Sequence, residues 1–179
     1  MIGLPLKVLI ESAEAVKTEL KRPLDVVLNY AHMTLQNATL KTAVPRFHAA
    51  GVKRVFTASP LSMGLLRAEG PQPWHPATES QKQAVRNAII LAQKQGYNLA
   101  DVSMQFVFAN WDSCVIGGWS SIKELESAVE MWHIVKTRQF KDEVESLWKA
   151  SREAMGEDVD TMWASPGKGW VFSDGSKIE

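Results

Sequence analysis

Residues 53–66 read KRVFTASPLSMGLL, a short strand-like run that ends in a Ser-Pro-Leu turn. Two similar runs occur elsewhere in the chain, LDVVLN at residues 24–29 and SCVIGG at residues 113–118. Short, mostly apolar runs are typical of strands that are buried on both faces of a sheet. Segments of helical periodicity separate the three runs. This alternation predicts an α/β fold with parallel strands and right-handed crossovers.

The helical segments have recognisable starts and stops. Apolar residues recur three or four positions apart from Leu6 to Leu20, which predicts the first helix. Further helices are predicted at residues 39–51, 78–95, 98–109, 120–132 and 137–155, with Thr78, Asn98, and Ser120 or Ser121 at starts and Gly51 and Gly96 at stops. Residues 156–179 contain Gly, Ser and Pro. They are predicted to form an irregular tail after a folded unit of residues 1–155.

Composition limits the class of protein and its partners. The 179 residues include 20 basic and 20 acidic side chains, so net charge gives no reason to expect a nucleic acid or an anionic membrane as partner. The single Cys114 cannot form an internal disulfide, which suits a reducing compartment such as the cytoplasm. No apolar run approaches the ~20 residues of a membrane span, and the start lacks the organisation of a secretory signal.

The number of strands indicates that the chain is part of a larger unit. Three parallel strands leave two unpaired edges, which are prone to pair with another chain. A closed β/α barrel needs eight strands and typically about 250 residues.

Two loops are long or rich in glycine and serine. The loop that begins at Ala58 contains Trp74 and His75, a composition that argues against disorder. The residues alone leave open whether it is a plain Pro-stiffened turn or a ligand-binding loop. The loop GGWSSIKEL at residues 117–125 is likewise either a capped surface helix or a site for an anion at a helix start. The four histidines and Cys114 lack zinc-ligand spacing.

The phrases TASPLSMGLL, WHPA and VIGGWSSIKELESAV resemble the C-terminal half of the aldo-keto reductase superfamily. RPLDVVLNYAHMTLQN, AGVKRVFTASPLSMGLL and PQPWHPA are each similar to its branch of sugar dehydrogenases that act on D-arabinose and L-galactose. The resemblance covers roughly residues 3–155, in order and without large gaps.

The resemblance implies a partial (β/α)8 TIM barrel whose first half is absent. The three predicted strands resemble the sixth, seventh and eighth strands of that barrel, and the opening IGLPLKVL resembles the segment just after the fifth. The family's catalytic Asp, Tyr, Lys and His lie on the first four strands. Tyr30 and His32 belong to the segment that resembles the sixth strand, so we assign no catalytic residue.

The resemblance also implies a nicotinamide cofactor, NAD or NADP, and a small carbonyl or sugar substrate. Residues that match the family's pyrophosphate contacts are Ser59 and Leu61, with Ser62, Met63 and Gly64 giving close backbone approach. Those that match the adenosine contacts are Gly118, Trp119, Ser120, Ser121 and Glu124, with Ser127. Residues 117–122 contain no cation and Glu124 stands where an Arg is frequent, so NAD is favoured over NADP; Lys123 is the nearest cation in sequence.

Two positions depart from the family pattern at the nicotinamide end. Leu28 stands where a Gln is common, and Ala58 stands where an aromatic residue is common. We therefore predict an NAD(P)-dependent oxidoreductase of aldo-keto reductase type whose cofactor half alone is present and is inactive by itself. The alternative is a non-catalytic, truncated half-barrel that binds a dinucleotide or a partner chain, with possible self-association through exposed strand edges.

Overall fold

The computed structural model describes the backbone of residues 2–3 and the whole of residues 5–139 and 142–163. The strands are β1 (Ile2–Gly3), β2 (Val26–Tyr30), β3 (Arg54–Ala58) and β4 (Val115–Ile116). The helices are α1 (Leu6–Leu20), α2 (Leu40–Ala49), α3 (Glu79–Lys94), α4 (Leu99–Asn110), α5 (Ile122–Lys136) and α6 (Asp142–Met155). Two short 3₁₀ turns cover Ser62–Gly64 and Gly156–Asp158.

The four strands form one parallel sheet in the order β1-β2-β3-β4. Asn29 pairs with Thr57, and Thr57 pairs with Val115, so corresponding positions of neighbouring strands lie side by side. The predicted α/β class with parallel strands is confirmed. The count of three strands was one short, because the two residues of β1 are too few to show a pattern of their own.

The starts of three helices follow their capping residues. Thr78 and Gln81 form a reciprocal capping box at α3, and the Asn98 side chain accepts a hydrogen bond from the Ala100 N–H at α4. Ser121, and not Ser120, caps α5 by accepting from the Glu124 N–H. The predicted ends were less accurate, since α5 continues to Lys136 and residues 137–139, predicted as the start of the last helix, are not helical.

The two faces of the sheet are covered unequally. Val27 and Val55 are buried in the main core, beneath the helices. Leu28 and Phe56 alternate with them, so they point to the opposite face, where both are half-buried. The prediction of strands buried on both faces was therefore wrong for the described residues, because no described helix covers the second face. No described helix is both long and apolar enough to cross a membrane.

The first residues of the predicted tail are held by specific hydrogen bonds. The Gln36 side-chain amide donates to the carbonyl of Asp158 (2.6 Å) and to that of Thr161 (3.0 Å). Asp160 forms an ion pair with Arg152 (2.8 Å). Of the motif WASPGKGW at residues 163–170, only Trp163 belongs to the described residues, and it is buried.

Candidate functional site

The loop after β3 has an unusual backbone. Ser59, Ser62, Met63 and Gly64 have φ values of +59°, +52°, +57° and +86°. Left-handed backbone is strained for serine and methionine and is held only where surrounding contacts require it. Such strain is typical of sites where a tight turn brings backbone close to a ligand.

Hydrogen bonds inside this loop use most of its donors. The Met63 N–H donates to Ser59 Oγ (2.7 Å), and the Ser62 N–H donates to the Ser59 carbonyl (2.9 Å). The N–H groups of Gly64 and Leu66 both donate to the Leu61 carbonyl. Within the turn of residues 59–66, two donors stay available, the hydroxyl proton of Ser59 and the N–H of Leu61. Any anion at this turn therefore meets these two groups first.

A buried polar network lies beneath the turn. Ser62 is fully buried, and its hydroxyl donates to Thr34 Oγ1 (3.0 Å). The Ala77 N–H donates to His75 Nδ1 (3.1 Å), so the proton of the neutral ring lies on Nε2 and is donated to the Ser62 carbonyl (2.9 Å). Burial lowers the pKa of His75, which keeps the imidazole neutral. The network fixes the far end of the loop to its beginning, and burial turns the Ser62 side chain away from any ligand.

The loops after β3 and β4 leave the sheet at the same edge. The Ser59 N–H donates to the Ile116 carbonyl (3.0 Å), which joins the two loops directly. The Ala31 N–H donates to the Ala58 carbonyl (2.9 Å), which adds the residues after β2 to this edge. Parallel strands place their carboxyl ends together, and ligands of open α/β sheets bind outside such ends. The sequence-predicted groups around Ser59 and Ser120 thus lie on one side of the molecule.

Trp119 joins the two loops through apolar contact. With Leu61 it packs against the small cluster of Met104, Ala128 and Met131. Its ring lies over Gly117, where an added Cβ atom would overlap the ring. Gly117 is therefore required by this packing, whereas Gly118 has open space around it. The sequence prediction expected both glycines to allow close backbone approach and selected Gly118 as a cofactor contact, but it did not anticipate the packing of Trp119 on Gly117.

The carboxylate of Glu124 is bound by its own loop. The Ser120 N–H donates to Glu124 Oε2 (2.6 Å), and the Ser120 hydroxyl lies 3.0 Å from Oε1. These bonds, with the positive charge of Arg67, lower the pKa of Glu124, so the carboxylate is ionised at neutral pH. Arg67 comes from the loop after β3, which sequence reasoning missed because the two residues are distant in the chain. The Ser127 hydroxyl donates to Asp101 of α4 (2.7 Å), and its contact with an adenosine stays a prediction.

The residues at the end of β2 divide between the two faces. Asn29 is buried on the helix side, opposite to Leu28, and its amide nitrogen lies 3.3 Å from His32 Nδ1. Burial lowers the pKa of His32, whose Nδ1 lies 2.7 Å from the Tyr30 carbonyl. Tyr30 pairs with Ala58 on the half-buried face.

Comparison with known proteins identifies the family. The model of the aldo/keto reductase family matches residues 6–149. The chain is 37% identical over 106 residues to L-galactose dehydrogenase of Arabidopsis thaliana, a match over 59% of this chain and 33% of that protein. It is 34% identical over 117 residues to D-arabinose 1-dehydrogenase of Saccharomyces cerevisiae, over 64% of this chain and 35% of that protein.

A solved structure shares the fold. Aldo-keto reductase AKR11C1 from Bacillus halodurans (holo form) superposes with a TM-score of 0.52 at 16% identity, over 84% of this chain and 49% of that chain. The matches thus span about a third of the two sequence relatives and about half of the solved chain. The family model covers most of the 179 residues, and the parallel α/β architecture agrees with it. The chain belongs to the aldo/keto reductase family.

Proposed function

We propose that the chain is the dinucleotide-binding part of an aldo-keto reductase, a partial barrel in which β2, β3 and β4 take the places of the sixth, seventh and eighth strands. β1 then takes the place of the fifth. The observation that carries the proposal is the Ser59 to Ile116 hydrogen bond, because it holds the two candidate loops at one carboxyl edge of a parallel sheet.

The groups present suit the diphosphate end of a dinucleotide. The Ser59 hydroxyl and the Leu61 N–H are available donors, and Arg67, although paired with Glu69 (3.1 Å), adds positive charge that acts on Glu124. The positive φ of Gly64 fits a backbone that approaches a ligand closely. The diphosphate would lie over this turn, and the adenosine would extend along Gly118, Ser120 and Ser121.

The ribose end favours NAD over NADP. The ionised Glu124 carboxylate would accept a hydrogen bond from a free 2′-hydroxyl and would repel a 2′-phosphate. Arg67 opposes this preference in part, since it brings a cation to the same region. The nicotinamide end fits less well, because Leu28 and Ala58 offer neither an amide partner nor an aromatic ring.

The proposed reaction class is hydride transfer between the nicotinamide and a sugar or small carbonyl compound. The cofactor supplies the hydride, and this chain's loops bind and orient its diphosphate. The family's Asp, Tyr, Lys and His have no counterpart by sequence match, so this chain alone would not catalyse turnover. A cytoplasmic location, suggested by the single Cys114, belongs to the same proposal.

Calorimetric titration of the purified chain with NADH tests the proposal. We expect saturable binding that Ser59→Ala weakens about tenfold, since it removes one donor to a charged group. Ser80→Ala is the control, because Ser80 is an exposed serine at the start of α3 whose hydroxyl donates to Asp158 (2.6 Å). NADH oxidation with an aldose should be undetectable. Equal affinity of the Ser59→Ala and wild-type chains would contradict the assigned site, and measurable oxidation would contradict the inactive state.

A second candidate is a non-catalytic partial barrel whose function is to bind a partner chain. An exposed apolar surface on α5 favours it. Both candidates are compatible with dinucleotide binding, so they differ in the partner and not in the ligand.

A further inference from the structure

Helix α5 carries an exposed apolar stripe. Its members recur three or four positions apart, so they line one flank of the helix. They are Ile122 (77% exposed), Leu125 (51%), Val129 (56%) and Trp132 (47%). A contiguous exposed apolar surface of this kind is typical of a protein contact.

The α5 stripe faces away from α4, the helix on which α5 packs. The Ser127 hydroxyl donates to Asp101 of α4, so the flank of Ser127 is turned toward α4. Val129 follows two residues later, about 200° further round the helix axis. The stripe therefore lies on the side where the described residues provide no neighbouring helix.

Helix α1, at the other end of the sheet, has a matching free flank. The ion pair between Glu14 and Arg46 of α2 (3.0 Å) turns one flank of α1 toward α2. Ser12 lies two residues before Glu14 and so on the opposite flank, together with Val8 and Ala15. Val8, Ser12 and Ala15 are small, uncharged and at least partly exposed, which suits packing against the larger side chains of the α5 stripe, and the exposed Glu19 marks the C-terminal limit of this patch.

The open edges of the sheet support the same contact as the free flanks of α1 and α5. β1 and β4 are the outer strands of the sheet, and each has a partner on one side only among the described residues. β4 contains the exposed Ile116, and α5, which carries the stripe, follows β4 directly in the chain. Each of these strands has only two residues, so its open edge offers a short ladder that pairs with another chain only together with the neighbouring helix contacts.

We propose that two copies of this chain associate head to tail, so that β4 and α5 of each copy contact β1 and α1 of the other. Rotation by half a turn about an axis parallel to the strands keeps all strands parallel and repeats the same contact twice, which closes the assembly. Four strands from each copy give the eight that close a parallel barrel. Closure would also cover Leu28 and Phe56 on the half-buried face. The inference rests on the partial-barrel architecture proposed above.

A second copy is favoured over an unrelated partner because one chain carries both halves of the contact. The large side chains lie on α5 and the small ones on α1, and each flank borders an open strand edge. A partner that supplied only a helix would leave one strand edge unpaired.

The mass of the purified chain in solution is the first test. Light scattering coupled to size exclusion should give twice the 19.9 kDa monomer mass. The double variant Leu125→Glu/Val129→Glu should weaken the dimer about 100-fold or more, because it buries two carboxylates in an apolar contact. The matched control is Ile90→Glu on α3, an equally exposed apolar residue (50%) outside the α5 stripe, and it should stay dimeric. A monomeric wild-type chain would overturn the proposal.

Cross-linking tests the head-to-tail arrangement. Cys114 is exposed, so both partners carry Cys114→Ser. One sample then carries Ser12→Cys and the other Val129→Cys. Oxidation of the mixture should give a disulfide between the two chains, and oxidation of either sample alone should give none. A disulfide within the Val129→Cys sample alone would show a different interface and would overturn the proposal.

The same samples separate this inference from dinucleotide binding. Leu125→Glu/Val129→Glu should change the mass and leave the diphosphate contacts of Ser59 intact, whereas Ser59→Ala should weaken NADH binding and leave the mass unchanged. Dimerisation without NADH binding would contradict only the proposed function, and NADH binding by a monomer would contradict only the dimer.

Discussion

The loops after β3 and β4 lie at the same edge of the sheet but are built differently. The β3 loop is fixed by backbone strain, internal hydrogen bonds and the buried His75, Ser62 and Thr34 network. The β4 loop follows a strand of only two residues, and its Gly118 and Ser120 are exposed. The β3 loop is therefore preorganised, which reduces the entropy lost when a ligand binds, whereas the β4 loop is held at Trp119 and Ser120 and is open to solvent at Gly118.

The largest difference should appear in stability. Leu66 in the β3 loop is fully buried, so Leu66→Ala should lower the free energy of unfolding by about 2–5 kcal/mol. Gly118 in the β4 loop has open space around it and no positive φ, so Gly118→Ala should change the free energy of unfolding by about 0.5 kcal/mol or less. Urea denaturation measures the loss of free energy of unfolding in each variant. Comparable losses would show that the two loops are equally fixed.

A second contrast concerns pH. Burial lowers the pKa of His75 and of His32, so in the folded chain each ring binds its proton only below the ordinary value of about 6.5. At a pH between the lowered pKa of the folded chain and the ordinary pKa, the unfolded chain binds more protons than the folded chain. The free energy of unfolding should therefore fall as the pH falls below about 6.5. Denaturation at pH 7.5 and pH 5.5 tests this.

The variant His75→Asn measures how much of this pH dependence arises from the β3 loop. Asparagine keeps hydrogen-bonding groups but does not titrate, so the loss of stability on acidification should become smaller. His48 is the control, because it is an exposed histidine on α2 that bonds to the Val52 carbonyl. If His48→Asn reduced the pH dependence and His75→Asn left it unchanged, the pH dependence would not arise from the β3 loop.

The sequence predicted the parts of this architecture that local chemistry controls. Thr78, Asn98 and Ser121 mark helix starts because a side-chain oxygen satisfies nearby N–H groups, and this rule needs no tertiary information. The parallel sheet followed from alternating strands and helices. β1 was not predicted, because its two residues are defined as a strand by their pairing with β2 and not by a sequence pattern of their own.

The candidate site was predictable only where its contacts are local. The bond from the Ser120 N–H to the Glu124 carboxylate spans four residues, so it is a local contact that the spacing at a helix start could have suggested. The contact of His75 with Ser62 and the approach of Arg67 to Glu124 depend on how the β3 loop folds, which no periodicity encodes. The role of Gly117 depends likewise on where the Trp119 ring lies.

The smallest expected effect concerns the ligand itself and rests on the proposed function. Replacing the ionised Glu124 by arginine would exchange repulsion of a 2′-phosphate for a fork of donors that suits it. We expect Glu124→Arg to raise the ratio of NADPH to NADH affinity by about tenfold, equivalent to about 1.4 kcal/mol. The Ser121 hydroxyl accepts from the backbone N–H of residue 124, so this part of the helix cap survives the substitution.

Glu126→Arg on the same helix is the matched control, since it changes the net charge equally at an exposed position that lies about 200° round the helix from Glu124. Titration of each variant with both dinucleotides separates a local contact from a general gain of positive charge. If both variants raise the ratio equally, the selectivity arises from the overall field and not from the β4 loop. A rise confined to Glu124→Arg would show that the exposed β4 loop distinguishes the two cofactors, while the preorganised β3 loop binds the diphosphate that they share.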